Sequence, residues 1–157
     1  KSDNLERLGK DLKEFNDCKV LECDLESPES MARATLTILS QKKHIGTLIH
    51  CAERIGPMQP MTKFTAASFK ECLDVNLVAV DYITRRLLPI MGDHKAMEDK
   101  AQNIDSLLSS KLSSRIVVVT SEEAHKPIKN LSGYCVAKAG LLMWSRCASN
   151  EFAKYGI

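Results

Sequence analysis

Tyr134 and Lys138 stand four positions apart in a run that reads as helix, which puts their side chains on one face. A cation beside a phenol favours the phenolate and lowers its pKa from about 10. A tyrosine tuned in this way can give or take a proton near neutral pH. The same spacing also arises by chance, and then leaves a partly exposed tyrosine beside a solvated lysine. Ser121 gives the pair a context. It ends the most strand-like run of the chain, thirteen positions before Tyr134, and the intervening loop can fold its hydroxyl back beside the phenol. There it would polarise a carbonyl oxygen while the tyrosine protonates it; otherwise it is a turn residue or a helix cap. Asn76 is the third candidate, an amide at a core-facing position of a helix otherwise lined by apolar groups. A buried amide without partners costs about 1–3 kcal/mol. It must therefore find partners, either as a structural residue or as one that holds a water or relays a proton.

The elements that position these residues follow from periodicity. Residues 3–16 carry Leu5, Leu8 and Leu12 at helical spacing. Cys18 to Leu25, around Val20 and Leu21, reads as a strand. Ser27-Pro28-Glu29 has the chemistry of a helix start: a capping hydroxyl, a proline suited to the first turn and an acid at the positive end of the dipole. Met31, Ala34, Ile38 and Leu39 keep one face of that helix until about Lys43. Thr47 to Ala52 reads as a buried strand. A helix is expected from about Ala66 to Met91, with Phe69, Cys72, Leu73, Asn76, Val80, Ile83 and Leu87 inward and Pro89 ending or bending it. Residues 92–114 are polar, with only Ile104, Leu107, Leu108 and Leu112 as a weak helical stripe, and read as a surface excursion that can hold one short helix. Ile116 to Val119 is a run of β-branched residues and the strongest strand. The last helix, from about Tyr134 to Tyr155, is apolar almost all round between Val136 and Ala148, so it is expected to be buried on more than one side. Alternating strands and helices predict βαβ units and a parallel sheet. Chemistry in such sheets sits beyond the carboxyl ends of the strands, which singles out Asp24, the stretch His50 to Glu53, and Thr120-Ser121.

Composition excludes several classes. The 157 residues suit one domain, and 44% apolar with 27% charged residues is ordinary for a globular chain. A net charge of +2, with no more than two adjacent Lys or Arg, gives no reason to expect a nucleic-acid partner. No apolar run approaches the ~18 residues of a membrane span. None of the six cysteines forms C-x-x-C, so they are expected to be reduced thiols in an intracellular protein, cytoplasmic by default. The chain opens at Lys1 without Met, and a targeting segment upstream is left open.

Asn76, Ser121, Tyr134 and Lys138 follow the order and context of the Asn-Ser-Tyr-Lys tetrad, and the chain resembles the short-chain dehydrogenase/reductase family. The similar stretches are CDL at 23–25, TLIHCA at 47–52, DVNL at 74–77, RIVVVTS at 115–121, YCVAK at 134–138 and EFAKYGI at 151–157. The resemblance implies a doubly wound, Rossmann-like parallel sheet in three α/β/α layers. It implies hydride transfer between NAD or NADP and a small carbonyl or alcohol substrate. Tyr134 would be the general acid/base, its pKa lowered by Lys138 and by the positive nicotinamide. Lys138 would also hold the nicotinamide ribose hydroxyls, and Ser121 would orient the carbonyl. Asn76 would hold a water linking Lys138 to solvent. Asp24 would touch the adenine amino group, with Leu25 beside it, although Asp24 also reads as a capping or turn residue. Cys51 and Ala52 would line the cofactor. A homodimer or homotetramer through the 66–91 and 134–155 helices is implied as well.

The chain also departs from the family. Its usual Asn-Asn-Ala-Gly is His50-Cys51-Ala52-Glu53 here, so Glu53 brings a side chain and a negative charge to a place where glycine lets the backbone approach the cofactor. His50 is either a ligand or base, or an imidazole hydrogen-bonded at the sheet edge. His125 reads as an exposed loop residue. The family's glycine-rich phosphate loop is absent. Residues 1–157 are therefore expected to be the central part of one NAD(P)-binding domain, an incomplete sheet with a polar insertion at about 92–114. Such a piece is not expected to fold stably or turn over alone. The main alternative is a catalytically silent relative acting as a binding or regulatory protein. An unrelated α/β protein with a chance Tyr-x-x-x-Lys would leave Asn76 and Ser121 unexplained.

Overall fold

A hydroxyl at Ser27 starts the best-defined helix. Its Oγ accepts from the backbone N–H of Ser30 at 3.2 Å, and Pro28 occupies the first turn. The computed structural model describes residues 2–13, 18–92 and 113–157. Within them the order is α1 (Ser2–Lys13), α2 (Pro28–Ser40), β1 (Thr47–His50), α3 (Ala66–Leu73), α4 (Ala79–Leu87), β2 (Arg115–Val118) and α5 (Ser132–Phe152). The two strands pair in parallel, Thr47 opposite Arg115 and His50 opposite Val118. A parallel pair reached through intervening helices is the doubly wound arrangement, present here in part.

Strand alternation decides which face is covered. Leu48, His50, Ile116 and Val118 are half-buried, while Thr47, Ile49, Arg115 and Val117 are exposed. His50 reaches Thr84 of α4, and Ile116 and Val118 line a cavity with Trp144 and Ala148 of α5, so the covered face meets the helices. The core lies there, built from Cys72, Val75, Ala79, Val80, Leu87, Tyr134, Ala137 and Leu141. Gly133 lets α5 begin close to Phe64, whose ring would stand 2.9 Å from an added Cβ.

The 66–91 helix is interrupted in a way periodicity did not foresee. Between α3 and α4 the backbone makes a π-turn at Asp74–Val78, closed by the Ala79 N–H on the Asp74 carbonyl. Asn76 explains it. Its Nδ2 donates to the Cys72 carbonyl at 2.8 Å, the acceptor its own backbone N–H would use in an α-helix, and the ladder slips by one residue. Of the residues expected inward, Cys72, Asn76, Val80 and Leu87 are buried and Phe69, Leu73 and Ile83 half-buried, and α4 gives way to a 3₁₀ turn at Leu88–Ile90, where Pro89 stands.

The expected strand at Cys18 to Leu25 is a correction. Cys18 to Asp24 carries no sheet hydrogen bonding, and Val20 and Leu21 are exposed. Apolar composition favours an extended backbone, but a strand also needs a neighbour to complete its ladder. Here the chain beside it is separated from the β1 loop by an open cleft of about 840 Å³.

Of the 92–114 segment only the ends are described, and they meet. The Gly92 N–H donates to Ser114 Oγ at 2.8 Å, and that hydroxyl donates to the Ile45 carbonyl at 2.7 Å. Gly92 has φ +70°, and a Cβ there would strike the Tyr155 carbonyl at 2.5 Å. The short helix suggested within this segment lies outside the described residues.

Candidate active site

Tyr134 sits in the first turn of α5, and Lys138 follows one turn later on the same face. Both are buried, Tyr134 at 5% and Lys138 at 1% exposure. The Lys138 ammonium lies 5.5 Å from the centre of the Tyr134 ring and donates to the Val119 carbonyl at 3.0 Å, which fixes it at the end of β2. Ser121 follows that strand end directly. Its hydroxyl donates to the Glu123 carboxylate and lies close enough to the phenol to bear on its ionisation. Three of the four expected residues, Ser121, Tyr134 and Lys138, are thus gathered at one place beyond the carboxyl ends of the strands.

The fourth, Asn76, reaches them at one remove. It is buried, and its amide is committed to backbone: Nδ2 donates to the Arg54 carbonyl at 2.7 Å and to Cys72, and Oδ1 accepts from the Arg54 N–H at 3.1 Å. It therefore clamps Arg54, the residue beside Glu53. The Arg54 guanidinium is in turn bridged to Glu26 at 2.9 Å and Glu71 at 2.6 Å. The β1 loop is held by both the backbone and the side chain of one residue.

That anchoring delivers Glu53 to the pair. Its Oε2 accepts from the Tyr134 hydroxyl at 2.8 Å and lies 3.2 Å from the Lys138 Nζ. These contacts hold the Glu53 carboxyl below the usual carboxylate range, the phenol's hydrogen bond contributing most. The phenol moves the other way. Burial, then the hydrogen bond to Glu53 and the negative charges of Glu53 and Glu123, raise the Tyr134 pKa, while the neighbouring Ser121 hydroxyl opposes them. The expectation that Lys138 lowers the phenol's pKa is corrected here: the ammonium is shared with a carboxylate that itself favours the protonated phenol. Glu53 was noticeable in sequence only as a charge in place of a family glycine. Its reach to Tyr134 depends on the fold of the β1 loop. Glu123 was signalled only by its nearness to Ser121.

Asp24, Leu25 and Ala52, with Glu53 and Arg54, line the 840 Å³ cleft. Cys51 and Ala52 are exposed and border an adjoining apolar hollow of about 290 Å³ with Leu25 and Val75. One carboxylate oxygen of Asp24 accepts from the Glu26 N–H at 2.9 Å, the turn role its type allows. His50 is a sheet-edge imidazole, its Nε2 2.9 Å from Thr84 Oγ1, and burial pushes its pKa down to about 4. His125 is exposed. Among the described residues all six cysteines are free thiols, no cluster could hold a metal ion, and no helix is long and apolar enough to cross a membrane.

Comparison with solved structures gives the same fold. A short-chain dehydrogenase from Streptomyces avermitilis aligns with a TM-score of 0.76 at 19% identity, over 98% of this chain and 51% of its own. A xylitol dehydrogenase with bound NAD+ gives 0.81 at 18%, over 100% and 54%. A 3-ketoacyl-(acyl-carrier-protein) reductase from Brucella melitensis, complexed with NADH, gives 0.77 at 21%, over 98% and 57%. This chain spans about half the length of these structures, and the likeness is one of fold. No curated protein matches. A family model described as short chain dehydrogenase matches residues 1–157, the whole sequence. The Tyr134–Lys138 pair beyond a parallel sheet, the shared fold and this match lead to one conclusion: the chain belongs to the short-chain dehydrogenase family.

Proposed function

We propose that the protein is an oxidoreductase that transfers a hydride between NAD(P)(H) and a small carbonyl or alcohol, with Tyr134 as general acid/base. The observation that carries this reading is the convergence of the Tyr134 hydroxyl and the Lys138 ammonium on one oxygen, at 2.8 and 3.2 Å. Two donors aimed at one oxygen suit a sugar hydroxyl or a carbonyl. In this chain Glu53 Oε2 takes that place, and its side chain is 45% exposed. The donor set therefore fits a nicotinamide ribose and a substrate oxygen once Glu53 withdraws. The bound nicotinamide supplies or accepts the hydride.

The chain's own residues do the rest. Tyr134 donates its proton to the carbonyl oxygen in reduction and takes it back from the alcohol in oxidation. Lys138, held by the Val119 carbonyl, binds ribose hydroxyls and supplies positive charge beside the phenol. Ser121 orients the carbonyl. Asn76 acts through the backbone it clamps, as a positioning residue. Asp24 and Leu25 would meet the adenine end of the cofactor, with Cys51 and Ala52 nearer its middle. Val136 and Met143 of α5 and Val78 of the π-turn are exposed apolar groups that suit a homo-oligomer.

A catalytically silent binding protein is the second reading, favoured by the Glu53 carboxylate seated on the reactive pair. Lys138→Ala in the full-length protein separates the two. Hydride transfer predicts that NADH or NADPH binds about tenfold more weakly or worse, and that turnover of a carbonyl panel falls by roughly a hundredfold. A variant that keeps wild-type affinity and rate contradicts the proposal, and wild-type protein that binds dinucleotide without any turnover favours the silent reading.

A further inference from the structure

Glu53 touches both members of the reactive pair, and the proposed reaction leaves it without a role. One oxygen of its carboxylate takes both the phenol hydrogen and the ammonium. Any oxygen-bearing ligand of the pair needs those same donors. The residue is well prepared for this position: Asn76 clamps the neighbouring backbone with two hydrogen bonds to Arg54 and is tied to its own helix by a third, to the Cys72 carbonyl. Its side chain is nonetheless half in solvent, and the pair supplies the hydrogen bonds to its carboxylate. The backbone is thus fixed while the carboxylate can leave.

We propose that Glu53 is a displaceable internal ligand of the Tyr134–Lys138 pair: it takes the phenol hydrogen and the ammonium on one oxygen, and a hydroxyl or carbonyl oxygen reaches the pair only as the carboxylate swings out. This rests on the reading of Tyr134 and Lys138 as the reactive centre. The chemistry balances simply, because no bond is made or broken. Two hydrogen bonds to a carboxylate are exchanged for two to a neutral oxygen, and the carboxylate regains water. The charged and titratable groups facing the phenol are Glu53 from the β1 loop, Glu123 from the turn after β2, and Lys138 from α5 itself, with the neutral Ser121 hydroxyl beside them. Removing Glu53 leaves Lys138 as its close ionic neighbour, opposed only by Glu123.

The test uses the full-length protein with Glu53→Gln, which keeps the shape and removes the charge, and Glu53→Gly, which opens the position. Ionisation of Tyr134 is followed by phenolate absorbance without any nucleotide, with Tyr134→Phe subtracted to remove the other tyrosines. Equilibrium binding of NADH and NADPH is measured alongside. The midpoint for Tyr134 is expected to fall by about one pH unit in Glu53→Gln. The better-bound nucleotide is expected to bind about tenfold tighter to Glu53→Gly. Unchanged ionisation in both variants overturns the proposal, as does nucleotide affinity that stays the same or weakens in Glu53→Gly. If the midpoint falls while neither nucleotide binds any form, Glu53 is still the internal ligand, and the hydride-transfer reading fails instead.

Discussion

At Tyr134 the sequence shows Lys138 and Ser121, and the fold adds Glu53. Lys138 is visible at four-residue spacing, and Ser121 can be inferred from the strand it ends. Glu53 lies 81 positions away along the chain and reaches the phenol only because Asn76 fixes the loop after β1. Spacing along a helix is local and legible, whereas a contact between a helix and a distant loop depends on the whole arrangement of strands. His50 makes the complementary case, since its hydrogen bond at the sheet edge was one of the two readings its position allowed. Its pH dependence follows from burial. Its folded-state pKa of about 4 lies below the ordinary value of 6.5, so between them the unfolded chain binds more protons. The stabilisation is complete above about pH 6.5 and is lost as the pH falls through the folded-state value. Allowing for partial exposure, it is on the order of 2 kcal/mol. Urea unfolding at about pH 7 and about pH 4.5 should show that loss, and His50→Gln, which can still bond Thr84, should flatten it. An identical pH slope in the variant would contradict this account of His50.

Elements were legible where local chemistry defines their ends. The Ser27-Pro28 start of α2 stands where capping chemistry put it, and α4 gives way just before Pro89. Two features were not legible. Cys18 to Asp24 has the composition of a strand, but pairing is a property of the neighbour and not of the segment. The π-turn at Asp74–Val78 is hidden because one extra residue per turn barely disturbs an apolar stripe, and the amide that causes it looked only like a misplaced polar group. Asn76 therefore joins helix geometry to the site. Asn76→Ala removes three hydrogen bonds to buried or half-buried backbone and should cost about 2–3 kcal/mol in thermal or denaturant unfolding. It should also release Arg54, so the Tyr134 midpoint should move in the same direction as in Glu53→Gln. A full stability loss with an unmoved midpoint would confine Asn76 to the helix.

Across the whole molecule, the described residues form a parallel pair of strands with helices on one face and Ile49, at 60% exposure, on the other. The wide cleft before β1 and the meeting of Gly92 with Ser114 belong to the same scale. A long segment whose ends already touch adds little loop-closure cost, which suits the proposal that 92–114 is an insertion on the domain surface. The apolar run of the last helix gave a buried inner face and an exposed outer one bearing Val136 and Met143. We propose that the outer face meets a second copy. Sedimentation of the full-length protein should then give a dimer or tetramer, and Met143→Lys should shift it toward monomer. A monomeric wild-type protein would contradict the proposal.

The central claim is that Tyr134 carries the proton of a hydride-transfer reaction, and Tyr134→Phe tests it most directly. Turnover should be followed by nicotinamide absorbance on a carbonyl panel, with dinucleotide affinity measured beside it. The account predicts that the rate falls by at least about a hundredfold, since the variant keeps the ring and loses only the proton. Affinity should change by no more than about threefold, because Lys138 still holds the ribose. Turnover equal to that of the wild type would contradict the account.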